Sequence, residues 1–176
     1  MRDASELPRS KWREHPNYPD QLLLLGSHEG FRSVSRRCIE LSRAAEPSRG
    51  DITALFHRWH VSMRSHEAYE ERKLYPYLAR RYGTSLVHLA RDHEALHALR
   101  DAVFVALADE DGGGVGRALE RYDQELCAHL EREEAVVIPL LLDLPPDEFR
   151  RYYDAPSVEV LLASMPACPA PQLGGH

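Results

Sequence analysis

The sequence predicts an all-α fold, an antiparallel up-down four-helix bundle with a short extra C-terminal helix and a flexible tail. Between Ser48 and Ile138 the only proline is Pro76, so the middle of the chain is free to be helical. Apolar residues in this part recur at spacings of three and four, which is the helical period. Short connections between the helices favour antiparallel neighbours.

Three groups of turn-forming residues, at 47–50, 83–85 and 112–116, divide the middle of the chain into segments of helical length. The predicted helices cover about 20–45, 51–82, 85–109 and 114–143. Residues 147–153 predict the short extra helix. The predicted organisation is an N-terminal extension at 1–19, the bundle at 20–155 and a Pro/Gly-rich tail at 156–176.

Composition excludes several classes of protein. The formal net charge of −6 and the lack of a Lys/Arg cluster argue against nucleic acid as a partner. No stretch approaches the roughly 20 apolar residues of a membrane helix, and the polar N-terminus has no signal-peptide core. Cys38, Cys127 and Cys168 form no CxxC pair, so neither a disulfide framework nor a thiolate metal site is expected. We expect a soluble, cytoplasmic protein.

An internal repeat links the second and fourth predicted helices. Both helices have His, Glu, Glu and Pro at offsets 0, 4, 5 and 10, as His66, Glu70, Glu71 and Pro76 and as His129, Glu133, Glu134 and Pro139. The first and third helices match more loosely, through His28 and His93, which precede their partner histidines by 38 and 36 residues. The chain therefore resembles two helix pairs related by a pseudo-twofold axis.

The spacing within the repeat predicts a metal site. Residues four apart on a helix are neighbours, so each His/Glu pair offers an imidazole and a carboxylate to one point in the core. Buried carboxylates cost several kcal/mol each to desolvate unless a cation neutralises them. Imidazole and carboxylate ligands without thiolate suit iron or manganese, and zinc is chemically feasible. The predicted metal ligands are His28, His66, Glu70, His93, His97, His129 and Glu133.

Over about residues 20–143 these residues resemble the haemerythrin and HHE cation-binding family. The resemblance implies two non-haem iron ions, bridged by carboxylates and an oxo or hydroxo group. It places one iron on His93, His97 and His129, the other on His28 and His66, and the bridges on Glu70 and Glu133. In the oxygen carriers of the family the last carboxylate stands five residues after its histidine, which corresponds here to Glu134. The repeat favours Glu133, and both alternatives stay open.

The neighbours of these ligands carry further expectations. Glu67 is a ligand in some relatives, but a solvated helix face is the favoured interpretation. Arg32 stands four residues after His28, where His97 follows His93, and it cannot ligate, so we expect an open coordination position beside His28 and His66. A surface ion pair is the favoured interpretation of Arg32. Gly26 and Gly30 indicate either close helix packing or open space beside His28, and close packing is the favoured interpretation. His57 and His60 are expected at the surface or behind the ligands. One of Tyr69, Tyr75 and Tyr77 is a candidate donor of a hydrogen bond to an iron-bound species.

The resemblance implies that the iron pair binds or reacts with O2, NO or peroxide, in gas binding or sensing, with an electron donor as a further partner. A di-iron oxidase or oxygenase and a peroxide- or NO-detoxifying enzyme are alternatives. Iron storage and a structural metal stay open as well. The sequence identifies no organic substrate and no oligomeric state.

Overall fold

The structure is a computed structural model that describes residues 7–18, 22–109 and 114–163, and within these ranges it is helical and has no strand. This confirms the predicted all-α fold. A 3-10 helix, Arg9–Glu14, precedes the bundle. The remaining elements are α1 (Leu22–Ser42), α2 (Arg49–Tyr69), a π-helical segment (Glu70–Leu74), α3 (Tyr75–Tyr82), α4 (Val87–Ala108), α5 (Val115–Leu142), α6 (Pro146–Asp154) and α7 (Val158–Ala163).

Four long helices enclose the core. Helix α1 packs against α2 and α5, and α4 packs against the same two helices. Ser48 caps the start of α2 by accepting a hydrogen bond from the Asp51 N–H. Gly83 ends α3 with a φ of 64°, a left-handed conformation that glycine adopts without steric cost. The antiparallel up-down direction of the helices stays a prediction.

The predicted second helix is interrupted by the π-helical segment. There the Tyr75 N–H donates to the Glu70 carbonyl, five residues back instead of four, and Pro76, which has no N–H, follows directly. The chain continues as α3, so the predicted range 51–82 is helical but not one regular α-helix. The interruption coincides with Glu70, one of the predicted ligands.

Part of the predicted N-terminal extension lies against the bundle. Trp12 is buried with Ile138 and Leu142 of α5. The Asn17 side-chain amide donates to the carbonyls of Leu142 and Leu144, both at 2.9 Å. Residues 7–18 are therefore fixed along the C-terminal part of α5.

The C-terminal part contains one more helix than predicted. Helix α6 confirms the short extra helix. Helix α7 lies within the range 156–176 assigned to the tail; Val158 and Leu161 are buried, and the helix packs on α3. Their spacing of three puts both on one face, a signal too short to distinguish from a loop. Residues 164–176 lie outside the described ranges.

A layer of buried polar residues separates two apolar clusters. On α4, Leu89 belongs to one cluster and Leu96 to the other, and His93 lies between them. On α5, Leu126 and Val137 flank His129 in the same way. Among the described helices none is both long and apolar enough to cross a membrane.

Candidate metal centre

Two pairs of histidines face each other inside the bundle. His28 Nε2 on α1 lies 3.1 Å from His66 Nε2 on α2. His93 Nε2 on α4 lies 3.2 Å from His129 Nε2 on α5. Each of the four long helices therefore contributes one imidazole to the polar layer.

Two carboxylates lie between the histidine pairs. Glu70 has Oε1 at 2.6 Å from His66 Nε2 and Oε2 at 3.5 Å from His93 Nε2. Glu133 Oε2 lies 3.4 Å from His28 Nε2 and 3.8 Å from His129 Nε2. Each carboxylate thus reaches both pairs, as a bridging ligand must. Four of these residues place one donor atom each within 4.8 Å of one another: His28, His66, Glu70 and Glu133.

Three of the rings are oriented by carboxylates behind them. The Nδ1–H groups donate from His28 to Glu134 at 3.1 Å, from His93 to Glu71 at 2.8 Å and from His129 to Asp92 at 3.4 Å. A carboxylate only accepts, so these contacts place a proton on Nδ1 and direct Nε2 inward. This is the arrangement of metal-ligating histidines in proteins.

The repeat explains this arrangement. In both halves the first glutamate, Glu70 or Glu133, faces the histidine pairs. The second, Glu71 or Glu134, orients a histidine on a neighbouring helix: His93 on α4 or His28 on α1. The geometry therefore favours Glu133 over Glu134 as the bridging residue, and metal ligation by Glu133 stays a prediction.

His97 differs from the other six predicted ligands. Its Nε2 lies 2.7 Å from Glu67 Oε2, and its side chain is 29% exposed. Glu67 is only 5% exposed, so the solvated position expected for it is wrong. His97 stands one helical turn after His93, so the His97–Glu67 pair offers a further nitrogen or carboxylate donor on the side of His93.

The cluster lacks positive charge. Burial opposes the charged form of His28, but the hydrogen bond with Glu134 and the nearby Glu70 carboxylate raise its pKa to about 9. Burial likewise opposes ionisation of Glu70, but the close His28 and His66 rings lower its pKa to about 2. Burial and the charge of Glu70 raise the pKa of Glu133 well above its ordinary value. In the metal-free protein the proton on His28 therefore supplies part of the missing positive charge, and the raised pKa of Glu133 favours its neutral form.

The donor atoms fit a bound cation. Both carboxylate oxygens of Glu70 and Oε2 of Glu133 are buried, and none has a hydrogen-bond partner of good geometry among the described residues. Burial and the nearby His93 lower the pKa of His129 to about 4, so its ring is neutral at pH 7. With the protons of both rings on Nδ1, the lone pairs of His93 and His129 face each other at 3.2 Å and repel. Cations between these atoms would satisfy them all.

Arg32 does not form the surface ion pair expected for it. Its side chain is 14% exposed and donates to the buried Glu134 at 2.8 Å. Arg9, from the segment before α1, approaches the other oxygen of Glu134 at 2.9 Å. Burial opposes ionisation of Glu134, but its hydrogen bonds with His28 and Arg32 lower its pKa to about 2. Nothing in the sequence near Arg9 pointed to this contact.

The surroundings of the site also include Tyr75 and two glycines of α1. Tyr75 is one of the three tyrosines expected to donate near the site, and its hydroxyl donates to Glu133 Oε1 at 2.9 Å. Of the two alternatives at Gly26 and Gly30, the favoured close packing is wrong, because a Cβ at either position would meet nothing within 4 Å. Open space therefore lies beside the helix that carries His28.

Metal loading at pH 7 should release at least about one proton per chain. His28, with a pKa of about 9, is protonated in the metal-free protein and must lose that proton to ligate, and the raised pKa of Glu133 favours further release. His129 contributes none, since it is already neutral. The release can be measured with a pH indicator in weakly buffered solution. Loading without proton release would contradict these protonation states.

Together the helical bundle and its buried imidazole and carboxylate layer define a metal-binding all-α protein. A family model, described as Hemerythrin HHE cation binding domain, matches residues 23–151. The chain belongs to this family of cation-binding domains, which confirms the resemblance seen in the sequence. Neither the curated proteins nor the solved structures gave a match.

Proposed function

We propose that the chain is a non-haem di-iron protein that binds O2, NO or peroxide, in gas binding or sensing. The observation that carries this proposal is the pair of carboxylates, Glu70 and Glu133, that each reach two histidine pairs. His28 and His66 would hold one iron, and His93 and His129 the other. When bound, such a pair supplies redox-active ions that take a small exogenous ligand.

The surroundings of the site support ligand entry beside His66. The His66 side chain is 13% exposed, against 0%, 1% and 3% for the other three histidines of the pairs. The His97–Glu67 pair adds a donor on the opposite side, next to His93. At the corresponding place on α1, Arg32 is held by Glu134 and supplies no donor. An open position next to His28 and His66 follows.

A second candidate is a di-iron oxidase or oxygenase, or a peroxide- or NO-removing enzyme. It is favoured by a cavity that ends at His66 and has room for more than a diatomic molecule. Exposure of the reduced iron protein to air distinguishes gas binding from enzymatic turnover. A spectrum that reverses under vacuum supports binding, whereas irreversible oxidation supports turnover.

Metal analysis of protein from iron-supplemented cells should find about two iron atoms per chain. His129→Ala should lose most of this iron, because His129 is buried in the polar layer. The control, His57→Ala, changes an exposed histidine elsewhere on α2 and should retain it. One zinc and no iron in the unmodified protein, or equal iron loss in both variants, would contradict the proposal.

A further inference from the structure

A cavity of about 260 Å3 lies directly beside the proposed metal centre. It is enclosed by α1, the end of α2 with the π-helical segment, the C-terminal part of α5, and α6. His66 forms part of its wall, and so does Tyr153, which is 60% exposed and marks the side facing solvent. A dry cavity of about 150 Å3 is enough to hold benzene. This cavity therefore has room for a single ring with a substituent.

The wall of the cavity is mostly apolar and aromatic. Leu24, Leu74 and Leu141 contribute aliphatic surface from three different elements. Phe149 and Tyr152 of α6 add aromatic rings, and Tyr152 is held in place by stacking on Tyr77, with ring centroids 4.7 Å apart. Rings prefer to pack edge-to-face or offset against other rings. The wall thus favours a planar aromatic occupant over a polar one.

The polar groups of the wall are few and have partners. The Tyr69 and Tyr152 hydroxyls are hydrogen bonded to each other. Lys73 Nζ donates to the Ala155 carbonyl and lies 5.0 Å from the centroid of the Tyr152 ring. Asp154 also lies close enough to act on the Lys73 charge. The Lys73 ammonium is already engaged by the Ala155 carbonyl and the Tyr152 ring, so the wall favours a neutral ligand, whose hydroxyl can donate to an oxygen of the Tyr69–Tyr152 pair.

We propose that this cavity binds a small single-ring phenol or aromatic alcohol and holds its ring next to His66. The inference deepens the proposed function, on which it rests for the metal beside the ligand. It identifies an organic ligand class for the same site. Apart from His66, the lining residues of the cavity are not among the proposed metal ligands.

Phenol titrated into the metal-free protein by calorimetry should bind with a Kd of about 0.1–1 mM, as expected for a ligand of this size. Cyclohexanol and benzoate should bind at least about fivefold more weakly, because one lacks the aromatic ring and the other carries a charge. Phe149→Ala should raise the Kd for phenol about tenfold. Tyr69→Ala, which changes a half-exposed residue of the wall, should also raise the Kd for phenol.

The matched control is Gly30→Phe. Gly30 lines a neighbouring cleft between α1 and α2, which also reaches His66 but contains Trp59 instead of the α6 residues. A side chain at this position meets open space, so the variant should fold and bind phenol as the unmodified protein does. No binding to the unmodified protein, tighter binding of benzoate, or a loss in Gly30→Phe equal to that in Phe149→Ala would each overturn the proposal.

The iron-loaded protein separates this inference from the proposed function. Phenol should perturb the optical spectrum of the diferric protein, and Phe149→Ala should need about tenfold more phenol for the same change. Binding that leaves this spectrum untouched would overturn the placement next to His66. A protein that binds phenol but takes up no iron would contradict the di-iron function while supporting the cavity as a ligand site.

Discussion

Removal of the metal should lower the melting temperature by at least about 15 °C. Each ion that binds only the folded state, at a free concentration about a thousandfold above its Kd, contributes roughly 4 kcal/mol, so two ions contribute roughly 8 kcal/mol. For a domain of this size 1 kcal/mol corresponds to about 2–4 °C. Without cations, the buried Glu70 and Glu133 carboxylates and the facing imidazoles again lack compensating charge. Scanning calorimetry before and after chelation measures the shift.

The control for this experiment is chelation followed by restoration of iron, which should recover the original melting temperature. His57→Ala, an exposed position, should show the same chelation-dependent shift as the unmodified protein. A melting temperature that does not respond to chelation would mean that the polar layer is stable without metal. That result would place any bound metal elsewhere on the chain.

Glu133→Gln should reduce iron from two atoms per chain to one or none, whereas Glu134→Gln should retain two atoms with about 10–100-fold weaker affinity. The reason is their position: Glu133 Oε2 faces histidines of both pairs. Of the site histidines, Glu134 contacts only His28, at the outer nitrogen Nδ1. An amide cannot bridge two cations as a carboxylate does, and loss of a group that orients a ligating histidine typically costs 10–100-fold in metal affinity.

The substitutions are isosteric and adjacent, but Glu134→Gln also removes the charge that Arg9 and Arg32 contact, so the melting temperature of each variant is measured as well. Glu131→Gln, an exposed neighbour on the same helix, serves as the control and should change neither stoichiometry nor affinity. Iron content and competition with a chelator of known affinity measure the two quantities. The reverse order, with Glu134→Gln losing iron and Glu133→Gln retaining it, would assign the bridge to the position used by the oxygen carriers.

The sequence was sufficient for the fold class and for most of the polar layer because both depend on helical periodicity. A spacing of four forces His66 and Glu70, or His129 and Glu133, onto the same face of a helix, whatever else the chain does. The internal repeat then brings two such pairs into one site. Apolar residues around His93 place that histidine in the same layer by the same reasoning.

The remaining contacts depend on tertiary structure, which periodicity does not specify. Glu67 and His97 meet across two helices, and neither has a sequence neighbour that signals the contact. Arg9 reaches Glu134 only because the segment before α1 lies along α5. In the π-helical segment the Tyr75 N–H donates five residues back instead of four, and no residue pattern around Glu70 predicts this change.

The hydroxyl of Tyr75 makes the two halves of the bundle chemically inequivalent. The residue that corresponds to Tyr75 in the other half of the repeat is Ile138, which is buried and has no polar side-chain atom to donate. Glu133 therefore shares one oxygen with a phenol donor, whereas both oxygens of Glu70 have no hydrogen-bond donor among the described residues. Tyr75 therefore withdraws negative charge from Glu133 alone. Two metal ions held between these carboxylates would receive unequal anionic support, whereas an exact repeat would offer them two interchangeable carboxylates.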